Sequence, residues 1–387
     1  MMQRRTLPVG ALALSVALAT ACQGAADGHS IKIGLTSSFT GPAALYGTEQ
    51  RWGVEMAAEE INSAGGVLGM EIEFAFEDNR CNPTEAVKAV NALITQHEVK
   101  AIIGALCSSA TLAALPVVKR AEVPLITSTS TAASITDQIG EGVNRWAFRS
   151  TIADDGMASS MVAFLKEEGV KSISVIGEDT DYGRGGAEVF SAAVEEHGIE
   201  VLSTDFVNPT SPEFTAIITK LKLNKPDRLA VYFTSTPLTA FYRQYETARL
   251  NIPGTGRLNI DHVLTNVLSD EFVASGGFDG TTSVNPYSPE LDSDANREFV
   301  ARFRDKYDQN PSQISFMAYE VVHLLAEAIR QGGEPTSATI RDGLRKAKYE
   351  SMMGKTIFFD ESHQVRNYAV VSGVKDGKLV FLGLSEG

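Results

Sequence analysis

Short apolar segments with period-two alternation recur along the chain, separated by longer segments with helical periodicity. Residues 31–35 and 70–76 alternate apolar and polar side chains, which is typical of half-buried β-strands. Between them, residues 44–62 carry apolar side chains at helical spacing, and the glycines at 65–66 end that pattern. The chain is therefore predicted to begin with a strand–helix–strand unit.

The same alternation continues to about residue 249. The pattern predicts helices at 84–96, from 108, 157–168, 183–197, 214–222 and 239–249, and strands at 100–106, 123–127, 172–177, 200–206 and 228–233. Strands that alternate with helices form parallel sheets covered on both faces. These strands are too many for one compact sheet. We therefore predict an α/β fold with two doubly wound parallel-sheet lobes joined by a hinge.

The C-terminal part predicts two more helices, at 294–307 and 314–332, and a final hairpin of strands 369–372 and 378–382. We assign residues 30–149 and 285–354 to the first lobe, and 150–284 and 355–387 to the second. Ligands of such folds bind beyond the carboxyl ends of the strands, so the binding site is expected in the cleft between the lobes.

The N-terminus has the pattern of an export signal. Arg4 and Arg5 precede an apolar run at 9–21 that ends in Ala-Thr-Ala, so residues 1–21 are predicted to be a cleaved signal peptide. Cys22 follows at once, as in bacterial lipoproteins, where this cysteine is acylated. Residues 22–30 then form a short tether. The predicted location is periplasmic, with a membrane anchor if Cys22 is acylated; the alternative is an unanchored protein with an incidental cysteine.

Composition excludes several classes of partner. The 387 residues include 48 acidic and 34 basic side chains, for a formal net charge of -14. Nucleic acid binding needs concentrated Lys and Arg, so this balance argues against nucleic acid and against a polybasic membrane contact. No apolar run after the signal peptide is long enough to span a bilayer.

Motifs for catalysis and metal binding are missing or incomplete. The sequence contains neither G-x-S-x-G nor H-E-x-x-H. The acidic group at 178–181 lacks the glycine and terminal glutamate of an EF-hand, so we interpret it as a solvated loop or a cluster at the edge of the hinge. The glycines at 183–186 do not complete a dinucleotide fingerprint. We expect no enzymatic activity, no cofactor and no metal.

Three cysteines in an exported chain leave one without an internal partner. If Cys22 carries a lipid, Cys81 and Cys107 remain as a pair, which an oxidising compartment favours. The enclosed loop would then contribute about 3 kcal/mol in the chain-entropy model. A nucleophilic Cys107 is the alternative, but no histidine lies at a suitable sequence spacing.

Hydroxyl side chains follow two neighbouring predicted strands. Ser108 and Ser109 come after the third strand, and residues 128–131, Ser-Thr-Ser-Thr, come after the fourth. Ser108 alone is explained equally well as a helix cap. The same helix start, however, offers N–H groups that suit a carboxylate. Two such loops at one sheet edge predict a pocket for ligand oxygens.

These segments resemble the solute-binding proteins of ABC importers, of the leucine/isoleucine/valine-binding type, over residues 31–382. The similar segments are SSFTGPAALYG, INSAGGVLG, EDNRCNPTEAV, IIGALCSSAT, PLITSTSTA and DYGRG. The resemblance implies a type I periplasmic binding protein, monomeric, that captures a small amino acid, branched-chain or related, by lobe closure. Its partner would be an ABC permease in the inner membrane.

The resemblance also implies roles for individual residues. Cys81 and Cys107 would form a disulfide. Ser108 would offer its hydroxyl and N–H to the ligand carboxylate with the help of Thr131, and the Thr129 carbonyl would receive the ammonium. Aromatic side chains from each lobe would line the cleft. The expected ligand-binding set is Tyr46, Ser108, Ser109, Thr129, Thr131, Tyr182 and Asp261.

The second lobe departs from the pattern of that family. A tyrosine that often follows the strand ending at 232–233 is replaced by Ser235 or Thr236. The acidic residue for the ammonium falls near 259–262, and Asp261 is our choice. This departure leaves open an amide, or a carboxylate without an amine, as the ligand. It also leaves open a sensor that signals through a separate receptor.

Overall fold

The first lobe is built on a sheet of five parallel strands. The structure is a computed structural model and describes residues 30–365 and 368–386. The strands are β1 Ser30–Ser37, β2 Glu71–Asp78, β3 Ala101–Gly104, β4 Leu125–Thr127 and β5 Ala147–Arg149. They lie in the order β2-β1-β3-β4-β5. The helices between them are α1 Ala44–Ser63, α2 Pro83–Thr95, α3 Ser108–Ala121 and α4 Ala133–Thr136.

The second lobe repeats this design with four parallel strands. These are β6 Ser172–Glu178, β7 Glu200–Val207, β8 Arg228–Tyr232 and β9 Gly254–Gly256, in the order β7-β6-β8-β9. The associated helices are α5 Asp154–Glu167, α6 Asp181–Glu196, α7 Thr215–Asn224, α8 Ser235–Thr247, α9 Ile260–Asn266 and α10 Asp270–Ala274. Two doubly wound parallel sheets confirm the predicted fold class.

The C-terminal part contributes to both lobes. Its elements are β10 Thr282–Asn285, α11 Asp294–Tyr307, α12 Gln313–Gly332, α13 Ser337–Leu344, β11 Tyr349–Glu350, β12 Thr356–Ile357, β13 Tyr368–Lys375 and β14 Lys378–Glu386. Helix α12 packs on α1 in the first lobe. Strands β10, β13 and β14 form an antiparallel sheet, and β11 pairs with β12.

Separate apolar cores lie under the two sheets, and the described chain crosses between them three times. Each crossing is bracketed by one residue of the first core and one of the second: Phe148 and Ile152, Tyr287 and Val284, Val365 and Ala369. Residues 355–387 were predicted to lie wholly in the second lobe. Instead, Ile357, Phe359 and Val365 pack in the first core. The exact lobe boundaries remain a prediction.

The predictions for the N-terminus lie outside the described residues. These are the signal peptide at 1–21, the acylated Cys22 and all of the tether except Ser30. Among the helices that the structure describes, none has the length and apolar character needed to cross a membrane.

Candidate functional site

A narrow cavity of about 50 Å³ lies between the lobes, beyond the carboxyl ends of β3, β4, β6 and β8. Four predicted site residues line it, two tyrosines and two residues with aliphatic hydroxyl groups. The lining is Tyr46, Leu106, Cys107, Ser108, Thr129, Tyr182, Phe233, Thr234, Arg257, Gln313 and Ile314. Tyr46, Ser108, Thr129 and Tyr182 are therefore brought together as predicted.

A tight turn and a disulfide position the start of α3 against this cavity. Gly104 ends β3 at φ 128°, and a Cβ there would lie 2.1 Å from the Thr36 carbonyl oxygen, so only glycine fits. Cys107 precedes α3 and is bonded to Cys81, with 5.3 Å between the Cα atoms. This confirms the predicted disulfide and gives Cys107 a structural role beside Ser108.

Ser108 is buried, at 1% exposure, and its Oγ accepts a hydrogen bond from the Ala132 N–H over 3.3 Å. It does not cap α3, because the capping position belongs to Cys107, whose side chain makes no capping bond. The first bond of the helix runs from Thr111 N–H to the Cys107 carbonyl over 3.0 Å. The N–H groups of residues 108–110 therefore have no acceptor within the helix, and Ser108 presents the first of them at the cavity wall.

The hydroxyl-rich loop after β4 mostly holds the loop after β3 in place. The Thr129 hydroxyl donates to the Leu106 carbonyl over 2.9 Å, and the buried Ser130 hydroxyl also bonds this neighbouring loop. Thr131 is fully buried behind the cavity, and Ser109 is half-buried and outside the lining. The predicted hydroxyl cluster is thus largely structural, and Ser108 and Thr129 are its members in the cavity lining.

Arg257 is the charged residue of the cavity wall, and sequence reasoning missed it. It follows β9 and the left-handed Gly256, and it is 8% exposed. Its Nη1 donates to Thr131 Oγ1 over 2.7 Å and its Nη2 to Gln313 Oε1 over 3.4 Å. Its buried Nε has no hydrogen-bond partner in the protein. No pattern in the sequence marked this position, because the three residues of β9 are too few to show an alternation.

Two buried carboxyl groups stand behind the cavity wall. Asp154 begins α5 at 3% exposure; burial raises its pKa, and Arg257 opposes that effect. Glu178 is also 3% exposed, and its Oε2 accepts bonds from the Thr234 N–H and hydroxyl, both over 2.7 Å. Burial raises the pKa of Glu178 against these bonds. None of the described residues that line the cavity is acidic.

The acidic group at 178–181 was predicted to be a solvated loop or a hinge-edge cluster. Solvation is wrong for Glu178, which Thr234, just after β8, holds inside the protein. Asp179 is exposed and pairs with Arg184, Nε to Oδ1, over 2.5 Å. Across residues 30–365 and 368–386, no group of three or more His, Cys, Asp or Glu side chains is arranged to hold a metal ion.

Asp261 lies in a different place from the one its predicted role requires. It lines a second, larger cavity of about 370 Å³, together with Glu49 of α1, Arg304 of α11, Asn310 and Ser312. Burial raises the pKa of Asp261, and Arg304 opposes the shift. The structure therefore does not bring Asp261 to the Ser108 wall, and its contact with an ammonium group remains a prediction.

The lobes contact each other directly at the rim of the cleft. Ser235 Oγ and Thr236 N–H, at the start of α8, both donate to the Pro42 carbonyl, over 3.0 and 2.9 Å. Arg257 adds its bonds to Thr131 and Gln313 in the first lobe. The cleft is therefore closed in this structure.

Comparisons with known proteins identify the family and the fold of the chain. A periplasmic binding protein family model matches residues 30–378. A leucine-, isoleucine-, valine-, threonine- and alanine-binding protein of Pseudomonas aeruginosa is 30% identical over 95% of both chains. An isoleucine-bound branched-chain amino acid binding protein of Streptococcus pneumoniae superposes with TM-score 0.79 at 26% identity, covering 92% of this chain and 100% of the other. A Rhodopseudomonas palustris solute-binding protein bound to 3,4-dihydroxybenzoic acid has TM-score 0.83 at 22% identity, covering 92% of this chain and 97% of the other.

Proposed function

Because the chain belongs to the periplasmic binding protein family, in the type I group that serves ABC importers, we propose that its cleft captures a small solute carrying a carboxylate. The observation that best supports this proposal is the buried Ser108 at the start of α3, which offers a hydroxyl and a helix-terminal N–H to the cavity. The closed form is then the state that an ABC permease recognises.

Closure of the cleft would remove the carboxylate of the solute from water. A carboxylate that leaves water must be met by hydrogen-bond donors, or its burial is strongly unfavourable. The start of α3 supplies such donors together with a partial positive charge. Tyr46 and Tyr182 approach the same cavity from the first and second lobes. Closure around the solute would therefore remove it from water on both sides.

Small amino acids are the first candidates for the solute, because the Pseudomonas aeruginosa relative is named for leucine, isoleucine, valine, threonine and alanine. In this version the Thr129 carbonyl meets the ammonium group; Asp261, the acidic partner predicted from the sequence, lines a different cavity and is not part of the proposed contact. A carboxylate without an amine is the second candidate, and the buried Arg257 in the wall favours it. In both versions the protein acts outside the cytoplasm, as a monomer, and does not convert its ligand.

Calorimetric titration tests the proposal directly. The folded protein is titrated with the twenty amino acids and with a set of short aliphatic carboxylates, after native mass spectrometry has identified any ligand retained through purification. Saturable binding of at least one carboxylate supports the proposal. A folded, ligand-free protein that releases no heat with any of them contradicts it. If the protein binds a carboxylate but its deletion alters a signalling response and leaves uptake of that solute unchanged, the sensor alternative is favoured.

A further inference from the structure

Arg257 places a buried positive charge where the solute would bind. We infer that this arginine makes the cleft select carboxylates that carry no ammonium group. The inference rests on the proposed function, because it assumes that the Ser108 wall receives a carboxylate. It concerns the class of the solute and not the existence of the site.

Two hydrogen bonds hold the guanidinium in place, and its Nε–H has no partner in the protein. Thr131 and Gln313 accept from its two terminal nitrogens, and the Tyr182 ring lies 5.8 Å from its central carbon. The Nε–H has no partner although Arg257 is 8% exposed and lines the cavity. A buried, charged donor without an acceptor destabilises the protein, so we expect a ligand oxygen to accept from the Nε–H.

An α-ammonium group is unsuitable at this position. It is attached one carbon from the carboxylate, so a carboxylate held at Ser108 would bring it toward the guanidinium. Thr131, which bonds Arg257 over 2.7 Å, belongs to the loop that bonds Ser108 through Ala132. Two like charges this close in a site shielded from water repel each other strongly. The same arginine attracts a second oxygen of an amine-free acid.

The surrounding acidic groups do not reverse this preference. Glu178 already accepts bonds on Oε2 from Thr234 and on Oε1 from the Thr180 hydroxyl over 3.0 Å. Asp154 is a buried counter-charge to Arg257, and it does not line the cavity. Neither carboxyl group is in the cavity wall, so neither offers an acceptor to a ligand ammonium group there.

The remaining lining indicates the rest of the solute. Leu106, Phe233 and Ile314 contribute apolar surface next to the polar wall. Apolar lining with a few convergent polar groups is typical of small-molecule sites. The solute class is therefore a short aliphatic or aromatic carboxylic acid, with its acid group between Ser108 and Arg257.

Matched pairs of ligands isolate the amine as the variable. Leucine is compared with 4-methylpentanoate, and alanine with propanoate, by calorimetry on the folded protein after removal of retained ligand. We expect the amine-free member of at least one pair to bind more tightly by about tenfold to a hundredfold. Tighter binding of the amino acids would overturn the inference and leave the proposed function intact. Equal affinities within both pairs, or no binding of any of the four, would also overturn the inference, whereas the proposed function fails only if none of the wider set of carboxylates binds.

Variants then assign the preference to Arg257. Arg257→Gln should weaken 4-methylpentanoate binding by about tenfold or more, since a hydrogen bond to a charged group is lost. Arg257→Glu should weaken it further and improve the relative affinity for leucine. Arg243→Gln, an exposed arginine on α8, is the matched control and should change neither. Circular dichroism melting curves establish that the variants are folded, and an unchanged leucine-to-acid ratio in Arg257→Glu would overturn the assignment.

Discussion

The Thr236 N–H donates to the Pro42 carbonyl over 2.9 Å, although the two residues belong to different lobes. Ser235 Oγ donates to the same carbonyl over 3.0 Å. Both donors stand at the start of α8, and their acceptor lies just before α1. These bonds exist only when the lobes are together, so they stabilise the closed form relative to the open one.

Ser235→Ala should therefore weaken ligand binding without affecting the folding of either lobe. One hydrogen bond contributes about 0.5–1.5 kcal/mol, which corresponds to an affinity loss of at most about tenfold, expressed mainly as faster dissociation. Stopped-flow dissociation of a fluorescently detected ligand measures it. Ser275→Ala, an exposed serine that bonds within its own turn, is the control. An unchanged dissociation rate in Ser235→Ala would show that this contact does not limit opening.

Ser108→Ala should reduce carboxylate affinity by on the order of 1.5–3 kcal/mol, the range for a hydrogen bond to a charged group. Ser109→Ala provides a neighbouring control, because Ser109 is half-buried and outside the cavity lining. Calorimetry with the tightest-binding ligand measures both. Equal losses in the two variants would mean that the start of α3, and not the Ser108 hydroxyl, carries the interaction.

Asp261→Asn should leave the affinity for any ligand at the Ser108 wall within about twofold, as for a substitution remote from the contact. The reason is placement, since Asp261 lines the larger cavity with Glu49 and Arg304. Titration with leucine and with 4-methylpentanoate measures the effect. A large loss for leucine alone would return Asp261 to its predicted role as the partner of an ammonium group.

Cys81→Ser combined with Cys107→Ser should lower the free energy of unfolding by about 3 kcal/mol, because the crosslink closes a loop with a sequence separation of 26 residues. Cys107 also lines the cavity, so ligand affinity should fall together with stability. Denaturant unfolding with and without ligand separates the two effects. A variant with full stability would mean that packing around residue 107, not the crosslink, holds the start of α3.

The protein should lose stability as the pH rises through the range in which two buried glutamates ionise. Burial raises the pKa of Glu49 and of Glu320 from 4.5 to about 7. A carboxyl group with a higher pKa in the folded than in the unfolded state binds protons more readily when folded. Its unfavourable contribution is therefore absent below pH 4.5, grows up to about pH 7 and is constant above that.

Glu49→Gln should be as stable as the original chain near pH 4.5 and more stable at pH 8, by on the order of 3 kcal/mol. Denaturant unfolding at a series of pH values measures the difference between the two proteins. Glu55→Gln, on the half-exposed part of the same helix, is the control and should keep the pH profile of the original chain. Parallel profiles for the original chain and Glu49→Gln would contradict a buried, protonated Glu49.

Long periodic segments made most of the fold predictable. Helix α12 was expected at 314–332 and spans Gln313–Gly332, because its apolar face repeats over five turns. Strands β5 and β9 were not predicted, since three residues each are too few to show an alternation. These two strands form because they pair with β4 and β8, and a local sequence pattern does not show such pairing.

The first-lobe side of the candidate site was largely predictable, whereas on the second-lobe side only Tyr182 was predicted. Ser108 follows a strand and begins a helix, so both its location and its chemistry could be predicted locally. Arg257 gave no comparable pattern, because its importance comes from its bond to Thr131, 126 residues away. Asp261 was chosen for its charge, but α9 carries it to another cavity. Residue type alone did not determine which side chain would face the cleft.

The three crossings between the cores have a mechanical consequence. Chain connections at three places restrict twisting and sliding of one lobe against the other more than a single connection would, and two of them, Phe148–Ile152 and Val284–Tyr287, lie wholly within the described residues. Rotation that opens and closes the cleft is the motion they restrict least. A longer linker in one crossing would leave both cores intact and the cavity residues unaltered. It would still cost affinity, because closure would have to restore an alignment that the three links otherwise guarantee.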